Sequence, residues 1–99
     1  ISPSAANITI HDITFQACEQ TIRAANVMGL NINDCIIYNC NQALELYSVA
    51  GAVIDNCQIV KNAASGNTSI VSINTCSNVS IKNSIIAYNT TQNNANAIY

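Results

Sequence analysis

A repeated phrase constrains this chain more than any other feature of its sequence. Residues 31–40 read NINDCIIYNC, residues 53–62 read VIDNCQIVKN and residues 80–89 read SIKNSIIAYN. Apolar triplets align in the same register, at spacings of 22, 22 and 27 residues: Ile8-Thr9-Ile10, Leu30-Asn31-Ile32, Ala52-Val53-Ile54 and Val79-Ser80-Ile81. Because a fixed period of this length is typical of repeat architectures, the sequence predicts four equivalent units.

Each unit contains three short segments in which apolar and polar residues alternate, which predicts β-strands. The second segment is marked by Phe15, Ile37, Ile59 and Ile86. The third segment is Ile22-Arg23-Ala24, Leu44-Glu45-Leu46, Val71-Ser72-Ile73 and finally Ile98-Tyr99. The third and fourth units each carry five extra residues, within Ala63–Ser69 and Thr90–Asn96, and these polar stretches predict loops.

Such short strands are not stable alone, but stacking equivalent strands pairs their backbones and buries their apolar faces. The sequence therefore predicts an all-β fold, a parallel β-helix of about four rungs of 22–27 residues. Residues 1–6 are expected to be a lead-in and residues 7–99 a single solenoid segment. Because Ile98-Tyr99 ends inside a strand without a cap, we expect further rungs or another chain beyond it. A leucine-rich repeat fits less well because only three leucines are present, and a helical repeat because the 3.6-residue period is absent.

Acidic and amide residues recur at one turn position of every unit, namely Asp12, Asp34, Asn56 and Asn83. Asp and Asn tolerate the left-handed backbone conformation and form local hydrogen bonds. Stacked asparagines can also hydrogen-bond to one another. The sequence therefore predicts an asparagine ladder along this turn.

The five cysteines fall at inward positions of the predicted strands. Cys18 aligns with Cys40, Cys35 with Cys57, and Cys76 with Val27 and Val49. We expect free thiols that pack as small apolar side chains. A disulfide within either aligned pair remains an alternative, because stacked neighbours lie near disulfide distance. The intervals give no C-x-x-C metal pattern, and no cofactor or metal site is predicted.

The charge content argues against several partners. Three basic and five acidic residues give a net charge of −2, whereas nucleic-acid binding requires clustered Lys and Arg. No apolar run approaches the ~18 residues of a membrane span. We therefore expect neither nucleic acid nor membrane as a partner.

The motif I-x-[DN]-[CS]-x-I recurs at residues 32–37, 54–59 and 81–86. With this motif, residues 7–99 resemble the pectin-lyase-like right-handed parallel β-helix superfamily. That superfamily includes polysaccharide lyases and hydrolases, bacterial surface proteins and viral tailspikes. The resemblance implies right-handed coiling and a carbohydrate groove on the outer face of the family's first sheet, with the insertions preceding that sheet.

The third segment supplies the residues of that outer face. Its outward positions are Arg23, Glu45, Ser72 and Tyr99, followed by Tyr47 and Asn74. Tyrosines stack on sugar rings, and Asn or Ser side chains bind hydroxyls, so these six residues are the candidate ligand-binding residues. The alternative is a plain solvated wall on which Arg23 and Glu45 pair across strands.

Catalytic residues are not assigned. Hydrolases of the superfamily that resemble polygalacturonase carry adjacent aspartates just before the first-sheet strand. The equivalent residues here are Gln20-Thr21, Gln42-Ala43 and Asn96-Ala97, and none is acidic. A site centred on His11, and a pairing of Asp55 with Lys82 in the same outward row, are weaker hypotheses.

A second surface is unusually apolar. Ile36, Tyr38, Val60 and Ile85 are predicted to point outward from the second segment. Such a patch suggests contact with another chain or domain, or lateral packing into a homo-oligomer by analogy with tailspikes. It also fits ordinary scattered surface apolarity.

The leading expectation is a noncatalytic β-helix scaffold of an extracellular, cell-surface or virion-associated protein, with a carbohydrate-facing wall. One alternative is a segment of a polysaccharide lyase or glycoside hydrolase whose catalytic residues lie largely elsewhere. Another is a structural filament that self-assembles through uncapped edges. Free thiols are more typical of reducing compartments and argue against the extracellular setting.

Overall fold

The computed structural model describes residue 1, residues 5–66 and residues 68–91. These residues form thirteen short β-strands and no helix. The strands are β1 (Ile8–His11), β2 (Thr14–Gln16), β3 (Gln20–Ala25), β4 (Met28–Asn33), β5 (Ile36–Tyr38), β6 (Gln42–Tyr47), β7 (Ala50–Asp55), β8 (Gln58–Val60), β9 (Ala63–Ala64), β10 (Val71–Asn74), β11 (Ser77–Lys82), β12 (Ile85–Ala87) and β13 (Thr90–Thr91).

All strand pairs in this part of the chain are parallel, and each joins equivalent segments of successive repeats. Sheet A has the order β1-β4-β7-β11, sheet B β2-β5-β8-β12 and sheet C β3-β6-β10, while β9 and β13 form sheet D. We number the repeats from Asn7, Gly29, Gly51 and Asn78. The chain visits sheets A, B and C in turn before it returns to sheet A. The all-β class and the parallel strand arrangement are therefore as the sequence predicts.

The register agrees with the sequence alignment residue by residue. In sheet A, Ile10 pairs with Ile32, Ile32 with Ile54, and Ile54 with Ile81. Sheets B and C likewise align Phe15, Ile37, Ile59 and Ile86, and Ile22, Leu44 and Val71. Their inward side chains join one hydrophobic core, whose fully buried members come from repeats 1 to 3. In repeat 4 the described apolar residues are less covered, and Ile81 is 38% exposed.

Left-handed residues recur at equivalent positions of the repeats, mostly at the corners between strands. The predicted turn row is confirmed, with φ between 51° and 56° at all four of its residues. Three further rows also have positive φ: Asn7, Gly29, Gly51 and Asn78; Ala17, Asn39, Lys61 and Tyr88; and Asn26, Ser48 and Thr75. The row that begins at Asn7 continues within strands β4, β7 and β11, and we call the other three rows the corner columns. The Asn and Gly residues of that row favour this conformation and were a missed signal, whereas Ala, Lys, Tyr and Thr in the other unpredicted rows rarely adopt it.

The asparagine ladder lies elsewhere than predicted. In the turn row, Asn56 Nδ2 donates to Asp34 Oδ1 at 2.6 Å, but Asn83 Nδ2 donates to Asp55 Oδ1 instead of to Asn56. A buried ladder joins Asn62 and Asn89, whose Nδ2–Oδ1 distance is 3.0 Å. Each of these two amides also donates to a backbone carbonyl of the preceding repeat. Because Asn62 is buried and Asn89 is half-buried, their hydrogen-bonding groups need protein partners, which favours ladder formation there.

The cysteines are all free, as expected, and they do more than fill space. Each thiol donates to the backbone carbonyl two residues before it. Two thiols also accept a backbone N–H from the preceding repeat: Cys40 Sγ from Cys18 at 3.3 Å, and Cys76 Sγ from Val49 at 3.4 Å. Ser84 Oγ and Asn62 Oδ1 accept in the same way from Cys57 and Cys40. The side chain after a corner thus satisfies an N–H group that the corner leaves outside the strand ladder.

The five extra residues of repeat 3 differ from the predicted polar loop. Ala63–Ala64 forms β9, which pairs with β13, and both Ala64 and Ser69 are buried. The chain rejoins sheet C at Ile70, whose carbonyl accepts N–H groups of Ala43 and Leu44, each at 3.0 Å. The predicted loop in Thr90–Asn96 lies outside the described residues after Thr91.

Candidate functional site

A polar groove runs along the outer face of sheet C, beside the extra residues of repeat 3. It consists of two adjoining depressions of about 400 and 370 Å³ that share Gln20, Gln42 and Thr68. The remaining lining residues are Arg23, Glu45, Ser69, Ser72 and Asn74 in the larger depression, and Glu19, Asn41 and Ser65 in the smaller one. We call the two depressions together the polar groove.

The parallel register of sheet C positions the floor of the groove. Arg23, Glu45 and Ser72 occupy equivalent positions in β3, β6 and β10. Side chains alternate across a strand, so these outward residues stand opposite the buried row of Ile22 and Leu44. Four of the six predicted ligand-binding residues line the groove: Arg23, Glu45, Ser72 and Asn74.

Of the two tyrosines among the predicted ligand-binding residues, the structure describes only Tyr47. Tyr47 does not line the groove, but it ends β6 beside Asn74, its partner in β10, and is 53% exposed. It therefore presents an aromatic side chain next to Asn74, one of the lining residues. Tyr99 lies outside the described residues.

An ion pair crosses the floor of the groove. Arg23 Nε lies 3.0 Å from Glu45 Oε2, as the cross-strand pairing of these residues predicts. Glu45 is the less exposed partner. One N–H group of the guanidinium therefore has a carboxylate partner before any ligand arrives.

Two glutamines continue the floor at the start of the strands. Gln20 Nε2 lies 3.5 Å from Gln42 Oε1, and Gln42 is buried. These are the positions at which the resemblance places catalytic aspartates. Sequence reasoning used them only to argue against catalysis and missed them as groove residues, because strict alternation gives them the inward side of Ile22 and Leu44.

A hydrogen-bonded cluster links the first repeat to the extra residues of the third. Asn41 Nδ2 donates to Ser65 Oγ at 2.8 Å and to Glu19 Oε2 at 3.3 Å. Ser65 N donates to Asn41 Oδ1 at 3.0 Å. Together with Thr68 and Ser69, this cluster forms the wall of the groove. Sequence reasoning missed the wall because the extra residues have no equivalent in repeats 1 and 2.

The predicted apolar surface lies on sheet B. Tyr38 pairs with Val60, while Ile36 and Ile85 both flank Gln58. Ile85 is 55% exposed, but the other three predicted residues are half-buried. Exposed apolar surface is therefore concentrated at Ile85, and the role of this face in binding stays a prediction.

The remaining ionisable groups form no further cluster in the part of the chain that the structure describes. His11 Nδ1 lies 2.7 Å from Asp12 Oδ2, on an exposed corner. Lys82 is the strand partner of Asp55, but the Asp55 carboxylate accepts a hydrogen bond from Asn83. No group of three or more His, Cys, Asp or Glu residues suited to a metal ion occurs among the described residues. The same residues include no helix long and apolar enough to cross a membrane.

Comparisons of the chain with protein-family models, with curated proteins and with solved structures give no match. The candidate site therefore stands on its geometry and on the sequence pattern.

Proposed function

We propose that this chain is a segment of a right-handed parallel β-helix that binds a polysaccharide along the polar groove without cleaving it. Two features support the coiled architecture: the cyclic order of sheets A, B and C along the chain, and the pairing of each strand with its equivalent in the next repeat. Crossovers between parallel strands of one sheet are right-handed in about 98% of cases. The resemblance to the pectin-lyase-like superfamily points the same way.

The composition of the groove carries the binding proposal. Its lining contains amides and hydroxyls from three consecutive repeats, so the donors and acceptors lie in a row along the stacking direction. Hydroxyl and amide side chains are suited to the hydroxyls of sugars. Tyr47, beside Asn74, offers an aromatic face for a sugar ring. An extended chain of sugars fits this arrangement better than a compact ligand does.

The groove is poorly equipped for hydrolysis. Glycoside hydrolysis requires a carboxylic acid and a carboxylate on opposite sides of the scissile bond. Glu45 is held in an ion pair, and Gln20 and Gln42 are amides at the positions that the resemblance assigns to acids. The alternative, a lyase or hydrolase segment, rests on the presence of both Glu19 and Glu45 in the groove lining.

A glycan array followed by calorimetry on the selected oligosaccharide tests the proposal. We expect Tyr47→Ala to weaken binding about tenfold by removing the ring that stacks on a sugar. Tyr88→Ala removes a more exposed tyrosine away from the groove and is expected to bind like the wild type. Absence of binding to every glycan, or equal losses in the two variants, would contradict the proposal.

A reducing-sugar assay on the bound glycan separates binder from enzyme. We expect no release above the blank. Release that disappears in Glu45→Gln would instead support the hydrolase alternative.

The proposal also includes a cellular location and a second binding surface. A glycan-binding β-helix suits an extracellular, cell-surface or virion-associated protein, with sheet B as the side that contacts another chain. Self-assembly into a filament is the third candidate. Light scattering that shows polymers growing with time at constant protein concentration would favour it.

A further inference from the structure

The charged residues of this chain are few, and the structure describes all of them. The three basic residues are Arg23, Lys61 and Lys82, and the five acidic ones are Asp12, Glu19, Asp34, Glu45 and Asp55. Only three of the eight line the polar groove, namely Glu19, Arg23 and Glu45. The lining therefore carries two formal negative charges and one positive charge.

The single cation of the groove lining is already neutralised. Arg23 Nε contacts Glu45 Oε2 at 3.0 Å. A ligand carboxylate that approached this guanidinium would have to displace Glu45 or lie beside it. In either arrangement two like charges come close together, which is unfavourable even at a hydrated surface.

The smaller depression offers no cation to compensate. Its charged residue is Glu19, and one carboxylate oxygen of Glu19 accepts from Asn41. Lys61 and Lys82 line neither depression: Lys61 occupies a corner column after β8, and Lys82 ends β11 in sheet A. The lining of the larger depression is therefore formally neutral and that of the smaller one carries one negative charge, so an acidic polymer would meet a net charge of −1 along the groove.

From these observations we infer that the polar groove selects an uncharged polysaccharide, whose sugars carry hydroxyls but no carboxylate or sulfate, and that it discriminates against polyuronates. The inference rests on the proposed function and specifies the class of ligand. Neutral hydroxyls can exchange hydrogen bonds with Gln20, Gln42, Thr68, Ser72 and Asn74 without disturbing the ion pair. Binding to such a ligand releases few counterions, so its affinity is insensitive to salt.

A matched ligand pair tests this selectivity. The probes are hexagalacturonate, its fully methyl-esterified form, and neutral hexasaccharides of glucose, mannose, galactose and xylose. We expect binding to at least one neutral probe, and affinity for hexagalacturonate at least about tenfold weaker at low salt. The methyl ester has the same sugars as hexagalacturonate without the negative charges. If the ester binds at all, it should therefore bind more tightly than the acid.

A charge-swap experiment tests the cause. In the double variant Glu19→Gln/Glu45→Gln, Arg23 loses its partner and the formal charge of the groove lining changes from −1 to +1. We expect the ratio of hexagalacturonate affinity to neutral-glycan affinity to rise about tenfold, and this gain to shrink with added salt. The control Asp12→Asn/Asp55→Asn makes the same change in net charge outside the groove and is expected to leave both affinities unchanged.

The outcomes separate the selectivity for neutral glycans from the glycan-binding function itself. Tighter binding of hexagalacturonate than of every neutral probe by the wild type would overturn the inference and leave the proposed glycan function in place. A double variant that gains nothing for the acid, or a control that gains as much, would also overturn it. Failure of every glycan to bind would overturn the proposed function itself.

Discussion

At the scale of single residues, the positions that follow a corner explain why cysteine, asparagine and serine recur in this chain. The N–H groups of Cys40, Cys57 and Asn62 each find an oxygen of the next repeat at 2.9–3.1 Å. A valine at the accepting positions would fill space but leave those donors without a partner. Small side chains that combine an acceptor with a donor suit such places, which is why amides, hydroxyls and thiols exchange freely there.

We expect Asn62→Ala to lower the free energy of unfolding by about 2–4 kcal/mol, because it removes three hydrogen bonds and leaves the Cys40 N–H and the Ile37 carbonyl unsatisfied. Urea titration followed by circular dichroism measures the change. Gln58→Ala, at an exposed position of β8, is the control and should alter stability by less than about 0.5 kcal/mol. Equal effects of the two substitutions would argue against the buried ladder.

The buried thiol of Cys57 makes stability sensitive to alkaline pH. Burial raises the pKa of the Cys57 thiol above its ordinary value. A raised pKa in the folded state means that the unfolded chain loses its proton first. The stability contributed by the neutral thiol is therefore complete below the unfolded pKa of about 8.5 and is lost as the pH rises above it.

We expect the free energy of unfolding, measured in a reducing buffer from pH 7 to 9.5, to fall above about pH 8.5 in the wild type. The fall should be smaller in Cys57→Ala, although that variant is less stable at pH 7. Cys76→Ala, which removes a partly exposed thiol, should retain most of the wild-type slope. A Cys57→Ala profile parallel to that of the wild type would contradict the assignment.

At the scale of the strands, stability arises between repeats and not within them. Strands of two to six residues have no partner in their own repeat, and each is paired with the equivalent strand of a neighbouring repeat. Burial also depends on the neighbouring repeats, and it is incomplete in repeat 4, the last that the structure describes. In the file of Ile10, Ile32, Ile54 and Ile81, exposure is 1% at Ile54 and 38% at Ile81.

This file offers a prediction with a built-in control. Ile54→Ala should lower the free energy of unfolding by about 3–4 kcal/mol, because the cavity that it leaves lies between two isoleucines of the same file. Ile81→Ala makes the same chemical change at a partly exposed position and should lower the free energy of unfolding by about 1–1.5 kcal/mol. Denaturant unfolding measures both, and similar costs would refute the stacking of these side chains in one file.

At the scale of the whole molecule, the parts that repeat were predictable from the sequence and the parts that occur once were not. The register of Ile10, Ile32 and Ile54 followed from alternation with period two, since a slip by one residue would turn every apolar side chain outward. The floor of the groove followed from the same register, through Arg23 and Glu45. Free thiols and the ion pair were predicted because both depend on which residues stand next to each other in successive repeats.

Three features escaped prediction for physical reasons. The corner column of Ala17, Lys61 and Tyr88 uses residue types without a preference for left-handed backbone, so the surrounding strands impose that conformation. The amide ladder was predicted at the exposed turn but is found at Asn62 and Asn89, because water competes for the hydrogen bonds of exposed asparagines and not for those of Asn62. The wall around Ser65 is made by extra residues with no counterpart in repeats 1 and 2, so the period carries no information about it.

The corner columns and the extra residues of repeat 3 have a joint consequence for how such a molecule can vary. The corners hold the cross-section constant, since each bend recurs at the same depth in successive repeats. Between Lys61 and Ile70 the chain leaves the cross-section that the repeats share, and the neighbouring repeats do not fix the length of this segment. Changing the length of that segment would reshape the rim of the groove while sheets A, B and C keep their alignment, so the recognition surface can diversify on this side of the molecule.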